Sequence, residues 1–448
     1  MRNVLKIYYI YKNRREISLR YLKTYFFTKY NLVATILMYF YFFITTYLFR
    51  DWVMPVYSTA NFNLLFNINN LYASIIYISF IAFFTLRPQN DAVRFILSIF
   101  AFMTVIPMLV LYCMTKENAH YHLFVFVYVC CFGVVSFFSC FSFNAKRYLT
   151  NANICRRLLL PMFLLTILVI ARFVALNGLG IFNLDIMKVY NYRLALRETM
   201  GGILAYLDSW VMKIINPFCI VYSLSKRKNL AAFIFFILQV ILFGFSSQKS
   251  VLFQGIFIVL VYFSFPLFIK KTTIIKYFVL GLILLLFISI TKQENYLVVI
   301  TRALYNRVFF TPSQINFWYY DFFSSNGFDW FRQSFLRHFM VSKYDALLPR
   351  LIGLEYYNNI ETNANTGFLA SGYAQGGFLV MFIYSIIVGI IIAYIVSLSK
   401  RMPERVVISI SIIPLIFLFT SGDLPSSIVT GGIGIMILLF LVTMKFSR

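Results

Sequence analysis

Residues 274–290 read Ile-Ile-Lys-Tyr-Phe-Val-Leu-Gly-Leu-Ile-Leu-Leu-Leu-Phe-Ile-Ser-Ile, directly after Lys270 and Lys271. A run of this length and hydropathy suits a helix through the roughly 30 Å core of a bilayer. Eleven other windows read the same way: 31–49, 69–87, 94–114, 121–143, 157–177, 203–224, 229–245, 250–269, 373–397, 405–421 and 425–444. Of these, 203–224 carries Asp208 and Lys213, and 229–245 is short. The 448 residues are 61% hydrophobic, 20% aromatic and 12% charged, about half the charged share of a soluble domain. The net charge of +25 would suit a nucleic-acid binder with a soluble surface, but the polar residues are too few to cover one. Nucleic acid is therefore not an expected partner. The expected fold is an all-α polytopic membrane protein, a single transmembrane domain over 1–448 with about 12 transmembrane helices.

Loop charges set the expected orientation. The tail 1–30 holds eight Lys and Arg, and alternate loops carry Arg87 and Arg94, Lys146 to Arg157, Lys226 to Lys228, Lys270 to Lys276, and Lys400 to Arg405. With Lys445 and Arg448 that face totals 25 basic residues against three acids, Glu16, Asp91 and Glu404. The short loops opposite hold Arg50, Lys116 and Lys249. Both termini are thus expected to be cytoplasmic, with 1–30 a cytoplasmic basic tail and 31–49 an uncleaved first helix. The +25 is mainly a topology signal. Two long external loops follow: 178–202, and 291–372 between the ninth and tenth helices. The six cysteines form no CxxC pair, so apolar packing is their expected role.

There is no phosphate loop of the GxxxxGK[ST] type, no HExxH and no GxSxG, which sets aside a nucleotide-driven pump and a metallopeptidase. No metal and no cofactor is expected. The long external loops hold seven Arg and three Lys, whereas the cytoplasmic face holds thirteen and twelve. Arginine is preferred where a planar fork grips phosphate. Tyr190, Arg193 and Arg197 share a face if 190–197 is helical. Arg302 and Arg307 precede the aromatic run Trp318, Tyr319, Tyr320 and then Asp321. That order suits a ligand with anionic and ring-shaped parts, although a lipid-interface belt would use the same aromatics. Further along come Asp329, Arg332, Arg337, His338, Asp345 and Arg350, and then a Gly- and Asn-rich stretch from Asn363 to Gly377. Such a stretch suggests a tight re-entry. In the membrane windows, Arg172 could bind an anion or pair with Asp208. Intramembrane charge costs about 2.5–3.5 kcal/mol on insertion scales.

Three of these segments resemble the Wzy-type oligosaccharide repeat-unit polymerases (O-antigen polymerases) of bacterial inner membranes. They are Tyr192-Arg193 with Arg197, the run from Arg302 and Arg307 through Pro312 to Tyr319-Tyr320, and Asn365 to Ala370 before a helix. The plan of about twelve helices with one dominant external loop is similar too. By motif the resemblance covers about 50 residues, and Ser371 stands where relatives carry an acid. The resemblance implies a metal-independent membrane glycosyltransferase whose active site faces the periplasm. It would transfer the growing glycan from undecaprenyl diphosphate to a new lipid-linked repeat unit. Arg193, Arg197, Arg302, Arg307, Asp321 and His338 become catalytic candidates. Arg172, Tyr190, Trp318, Tyr319, Tyr320, Arg332 and Arg337 become substrate-binding ones. A chain-length regulator (polysaccharide co-polymerase) and membrane lipids are the implied partners. A lipid-linked glycan flippase, or a ligase-type transferase moving finished chains, would share the architecture.

Overall fold

The computed structural model describes residues 29–57, 66–115, 119–143, 153–185, 192, 204–268, 273–290, 295–334, 336 and 339–443. All regular structure among them is helical. Among the described residues eleven helices are long and apolar enough to cross a membrane: α1 (Tyr30–Tyr57), α2 (Ile68–Leu86), α3 (Asp91–Cys113), α4 (His120–Ser139), α5 (Leu159–Leu176), α6 (Leu204–Ser225), α7 (Asn229–Ser246), α8 (Lys249–Leu267), α9 (Thr273–Ile290), α13 (Phe368–Leu398) and α15 (Leu424–Thr443). The chain is a multi-pass membrane protein. The remaining window, 405–421, forms α14 (Glu404–Thr420), a shorter helix of 17 residues with Pro414 inside it. The segment from Asn295 to Gly367 adds α10 (Tyr296–Tyr305), α11 (Thr311–Asn326) and α12 (Leu348–Tyr357).

Helix α3 is the axis of the bundle and is almost wholly buried. Its Phe100 stacks on Phe419 of α14 at 4.4 Å, and its Phe102 stacks on Phe278 of α9 at 4.9 Å. The high aromatic content is spent largely on such contacts. Lipid tails are as apolar as the helices, so close packing and interhelical hydrogen bonds must hold the bundle. Each aromatic pair adds about 0.5–1.5 kcal/mol.

A second cohesive element joins α6, α7 and α8. Asn216 donates to Gln239 Oε1 at 2.6 Å, and Gln239 donates to the carbonyls of Met212 and Val251, both at 3.0 Å. Helix α6 widens to a π turn at Val211–Ile215, where the helical bonding pattern shifts and carbonyls can turn outward. Gln239 takes the Met212 carbonyl, and Gln254 of α8 takes that of Lys213.

Helix α13 carries the feature that positions the 295–367 segment. Its 31 residues are broken by Gly376 (φ −176°, ψ 36°) and Gly377 (φ 68°, ψ −154°). The conformation of Gly377 is one that side chains resist. The break leaves the carbonyls of Ala374 and Gln375 to accept from Asp329 and Trp330, at 2.9 and 3.0 Å. Gln375 Oε1 accepts from the amide of Phe331 at 2.7 Å. The 328–331 loop is thereby fastened to the helix.

Candidate functional site

The segment from Asn295 to Gly367 folds onto the bundle. Helix α11 is sequestered: Ser313, Asn316, Phe317, Trp318, Tyr319 and Tyr320 are all buried. Ser313 donates to the carbonyl of Thr104 in α3 at 3.4 Å, and Tyr320 donates to that of His120 at 2.9 Å. Asn316 donates to the hydroxyl of Tyr128 at 3.3 Å, and its Oδ1 accepts from Thr366 at 2.6 Å. Gly367 follows, where a Cβ would overlap the Phe419 carbonyl. The Gly- and Asn-rich stretch is therefore a close backbone approach into α13.

Helix α10 has the polarity of an interfacial helix. Leu297, Ile300 and Leu304 point outward and are exposed, whereas Val298, Arg302 and Tyr305 are buried. An apolar stripe outside with an arginine inside suits a helix lying against lipid rather than water. A π turn follows at Asn306–Phe310 and leaves Arg307 exposed. Such turns occur often at functional sites.

From Arg307 the structure builds a continuous row. Tyr357 of α12 lies within electrostatic reach of Arg307; burial raises the Tyr357 hydroxyl pKa and the guanidinium partly lowers it. Trp318 meets Tyr357 edge-on at 5.0 Å and stacks on Tyr356 at 4.9 Å with an 11° tilt. Tyr356 donates to Asp321 Oδ2 at 2.8 Å. Burial pushes the Tyr356 hydroxyl pKa up, and the Asp321 carboxylate pushes it further. So Tyr356 stays the proton donor in its bond to Asp321 through the physiological range. A cation and a carboxylate stand at the two ends of one aromatic row.

The faces of Trp318, Tyr319 and Tyr320, expected to stack on sugar rings, are covered in this conformation. Trp318 lies on Tyr356, and Tyr320 stacks on Phe124 at 4.4 Å. They order the row rather than present a surface. An accessible aromatic is Trp330, 49% exposed, which the sequence reading did not single out. Trp330 and Phe331 both have positive φ, 56° and 62°, an uncommon conformation for bulky residues. The bonds to the α13 break hold them there. Asp329 is wholly buried; it accepts from the Gln333 amide at 3.0 Å and from Ser342 at 3.1 Å. It is a loop organiser in this geometry, not a proton acceptor open to substrate. Arg332 and Arg350 are half-buried, and the Nε of each is sealed without a hydrogen-bond partner.

Arg172 is committed elsewhere. It forms an ion pair with the buried Asp208, which is the structural alternative open in the sequence. Lys213 lies over the Phe417 ring at 5.3 Å. Tyr190, Arg193, Arg197, Arg337 and His338 lie outside the described residues.

One further acid had no sequence signal. Asp423, between α14 and α15, reads as a lone charge in a short loop. It faces Ser371 and Tyr384, and burial raises its pKa against those neighbours. Its Oδ1 has no hydrogen-bond partner. Asp423 thus brings a carboxyl group beside Ser371 from a distant part of the chain. Among the described residues no group of three or more His, Cys, Asp or Glu is placed to hold a metal ion. No family model matches the chain, and neither a curated protein nor a solved structure matches it.

Proposed function

We propose that the chain is a membrane glycosyltransferase that polymerises lipid-linked oligosaccharide repeat units. The growing glycan leaves undecaprenyl diphosphate and is joined to a new lipid-linked unit. The proposed orientation has about twelve spans, both termini in the cytoplasm and the 291–372 loop facing the periplasm of a bacterial inner membrane. The supporting observation is α10 with its π turn: a lipid-facing stripe, Arg302 within, and Arg307 at the head of the row to Asp321. A lipid diphosphate would set its headgroup at Arg307, with its chain along the exposed stripe.

In this reading an acceptor hydroxyl attacks the anomeric carbon, and the bond from that carbon to the diphosphate oxygen breaks. Arg307 and Arg302, with Arg193 and Arg197, stabilise the charge growing on the diphosphate. Removing one such donor typically costs about 10²–10³ in rate. The hydroxyl proton passes to a carboxylate. Asp321 suits this, because Tyr356 orients it; His338 is the other candidate base.

The test is the purified chain in vesicles with a defined lipid-linked repeat unit. A ladder of products supports polymerisation, and Arg307→Ala or Arg193→Ala should leave single units at unchanged protein level. Transfer to a different lipid acceptor would point to a ligase. Movement across the bilayer without conversion would point to a flippase and end the proposal.

A further inference from the structure

At the opposite, basic face the structure contains a second site that the proposed reaction does not use. An apolar groove of about 450 Å³ runs between α2, α4 and α13, lined by Phe80, Phe84, Phe126, Gly133, Phe137 and Phe382. At Gly133 the Phe84 ring packs directly on the α4 backbone, where a Cβ would come within 2.8 Å of it. From Phe126 to Phe138 the groove follows α4 for about 18 Å at 1.5 Å per residue. That approximates one leaflet of a bilayer core, about 15 Å.

Where α2 and α4 end, the lining changes character. A polar cavity of about 360 Å³ opens, bounded by Arg87, Asn90, Ser142, Ser397 and Lys400. Arg87 joins the two spaces: its guanidinium lies 5.1 Å over the Phe137 ring that walls the groove. Among the described residues it has no carboxylate partner. The acid nearby in sequence, Asp91, is engaged by Arg94 at 3.2 Å. Among the described residues no carboxylate lines the cavity.

We propose that this is a binding site for one anionic glycerophospholipid, with an acyl chain in the Phe-lined groove and the phosphate between Arg87 and Lys400. Lipid tails gain nothing from leaving other tails, so the groove supplies register and the cations supply selectivity. Basic pockets between membrane helices at this level recognise anionic headgroups.

The experiment uses the full chain in mixed micelles of equal phosphatidylglycerol and phosphatidylcholine, with retained lipid counted by native mass spectrometry. The native chain should retain phosphatidylglycerol at least about fivefold over phosphatidylcholine. Arg87→Gln with Lys400→Gln should bring the ratio near one in a chain that stays monodisperse. Cys130→Trp, which fills the groove, should lower retention of both lipids. A ratio near one in the native chain overturns the site. So does an unchanged ratio in the double variant, or displacement of the lipid by glycerol phosphate alone.

Discussion

Replacing Gly377 with alanine should loosen the 328–331 loop from α13. In the native chain Gly377 holds φ 68° and ψ −154°, a region that costs a residue with a side chain about 1–3 kcal/mol. The new Cβ would also lie 3.0 Å from Phe328 Cζ, a ring that meets Tyr373 edge-on at 5.4 Å. The variant has one obvious relief, which is to straighten α13. In a continuous helix the amides of Phe378 and Leu379 would claim the carbonyls of Ala374 and Gln375. Those are the carbonyls that Asp329 and Trp330 now use. Straightening the helix and releasing the loop are therefore one event.

A strain of about 1–3 kcal/mol shifts that equilibrium roughly 5- to 150-fold toward release. Hydrogen exchange reads it directly, since the amides of Asp329, Trp330 and Phe331 report the opening free energy. Their protection should fall by that factor, and protection in α3 should stay unchanged. Gly281→Ala is the control, because a Cβ there meets nothing within 4 Å. Protection at 329–331 that stays within twofold of native would refute the coupling of break to loop.

Arg172→Ala should destabilise the chain by about 3–5 kcal/mol, the usual cost of stranding one buried charge. Pairing it with Asp208→Asn should restore most of the thermal stability in detergent. Arg307→Ala should leave thermal stability unchanged and cut chain elongation about 10²–10³-fold, measured as the product ladder at equal protein. The raised pKa of Asp423 makes the folded state hold its proton where the unfolded chain has lost it. Stability should therefore fall as pH rises from about 4, the ordinary carboxylate value, through the raised one. Asp423→Asn should flatten that dependence in melts taken from pH 4 to 7.

The membrane helices were legible because a span needs one property, a run of about twenty apolar residues, that composition alone supplies. The weak windows at 203–224 and 229–245 both form helices, Leu204–Ser225 and Asn229–Ser246. Asp208 and Lys213 did not break the first because each finds a local partner, Arg172 or the Phe417 ring. Helix α13 begins at Phe368, ahead of the expected 373, because its small residues pack against neighbours instead of raising hydropathy. Helix α11 was the harder case. Its Trp318, Tyr319 and Tyr320 read equally as ligand platform, interfacial belt or core, and only tertiary contacts choose between these. Trp330 and Asp423 gave no signal at all, since a side chain's exposure or burial depends on segments far away in sequence.

The placement of α10 bears most on how the arginines should be ranked. Spacing along the sequence treated Arg302 and Arg307 as equivalents in one loop. The helix separates them: Arg302 lies on the face turned into the protein, and Arg307 follows a π turn that leaves it exposed. Burying a cation is costly unless the site holds it by hydrogen bonds or opposite charge, so Arg302 is bound into the fold wherever else it acts. Arg307 bears no such structural duty and stands within electrostatic reach of Tyr357, at the head of the row to Asp321. A substitution at Arg302 therefore mixes loss of fold with loss of charge. One at Arg307 isolates the charge, and for that reason it is the sharper probe of leaving-group stabilisation.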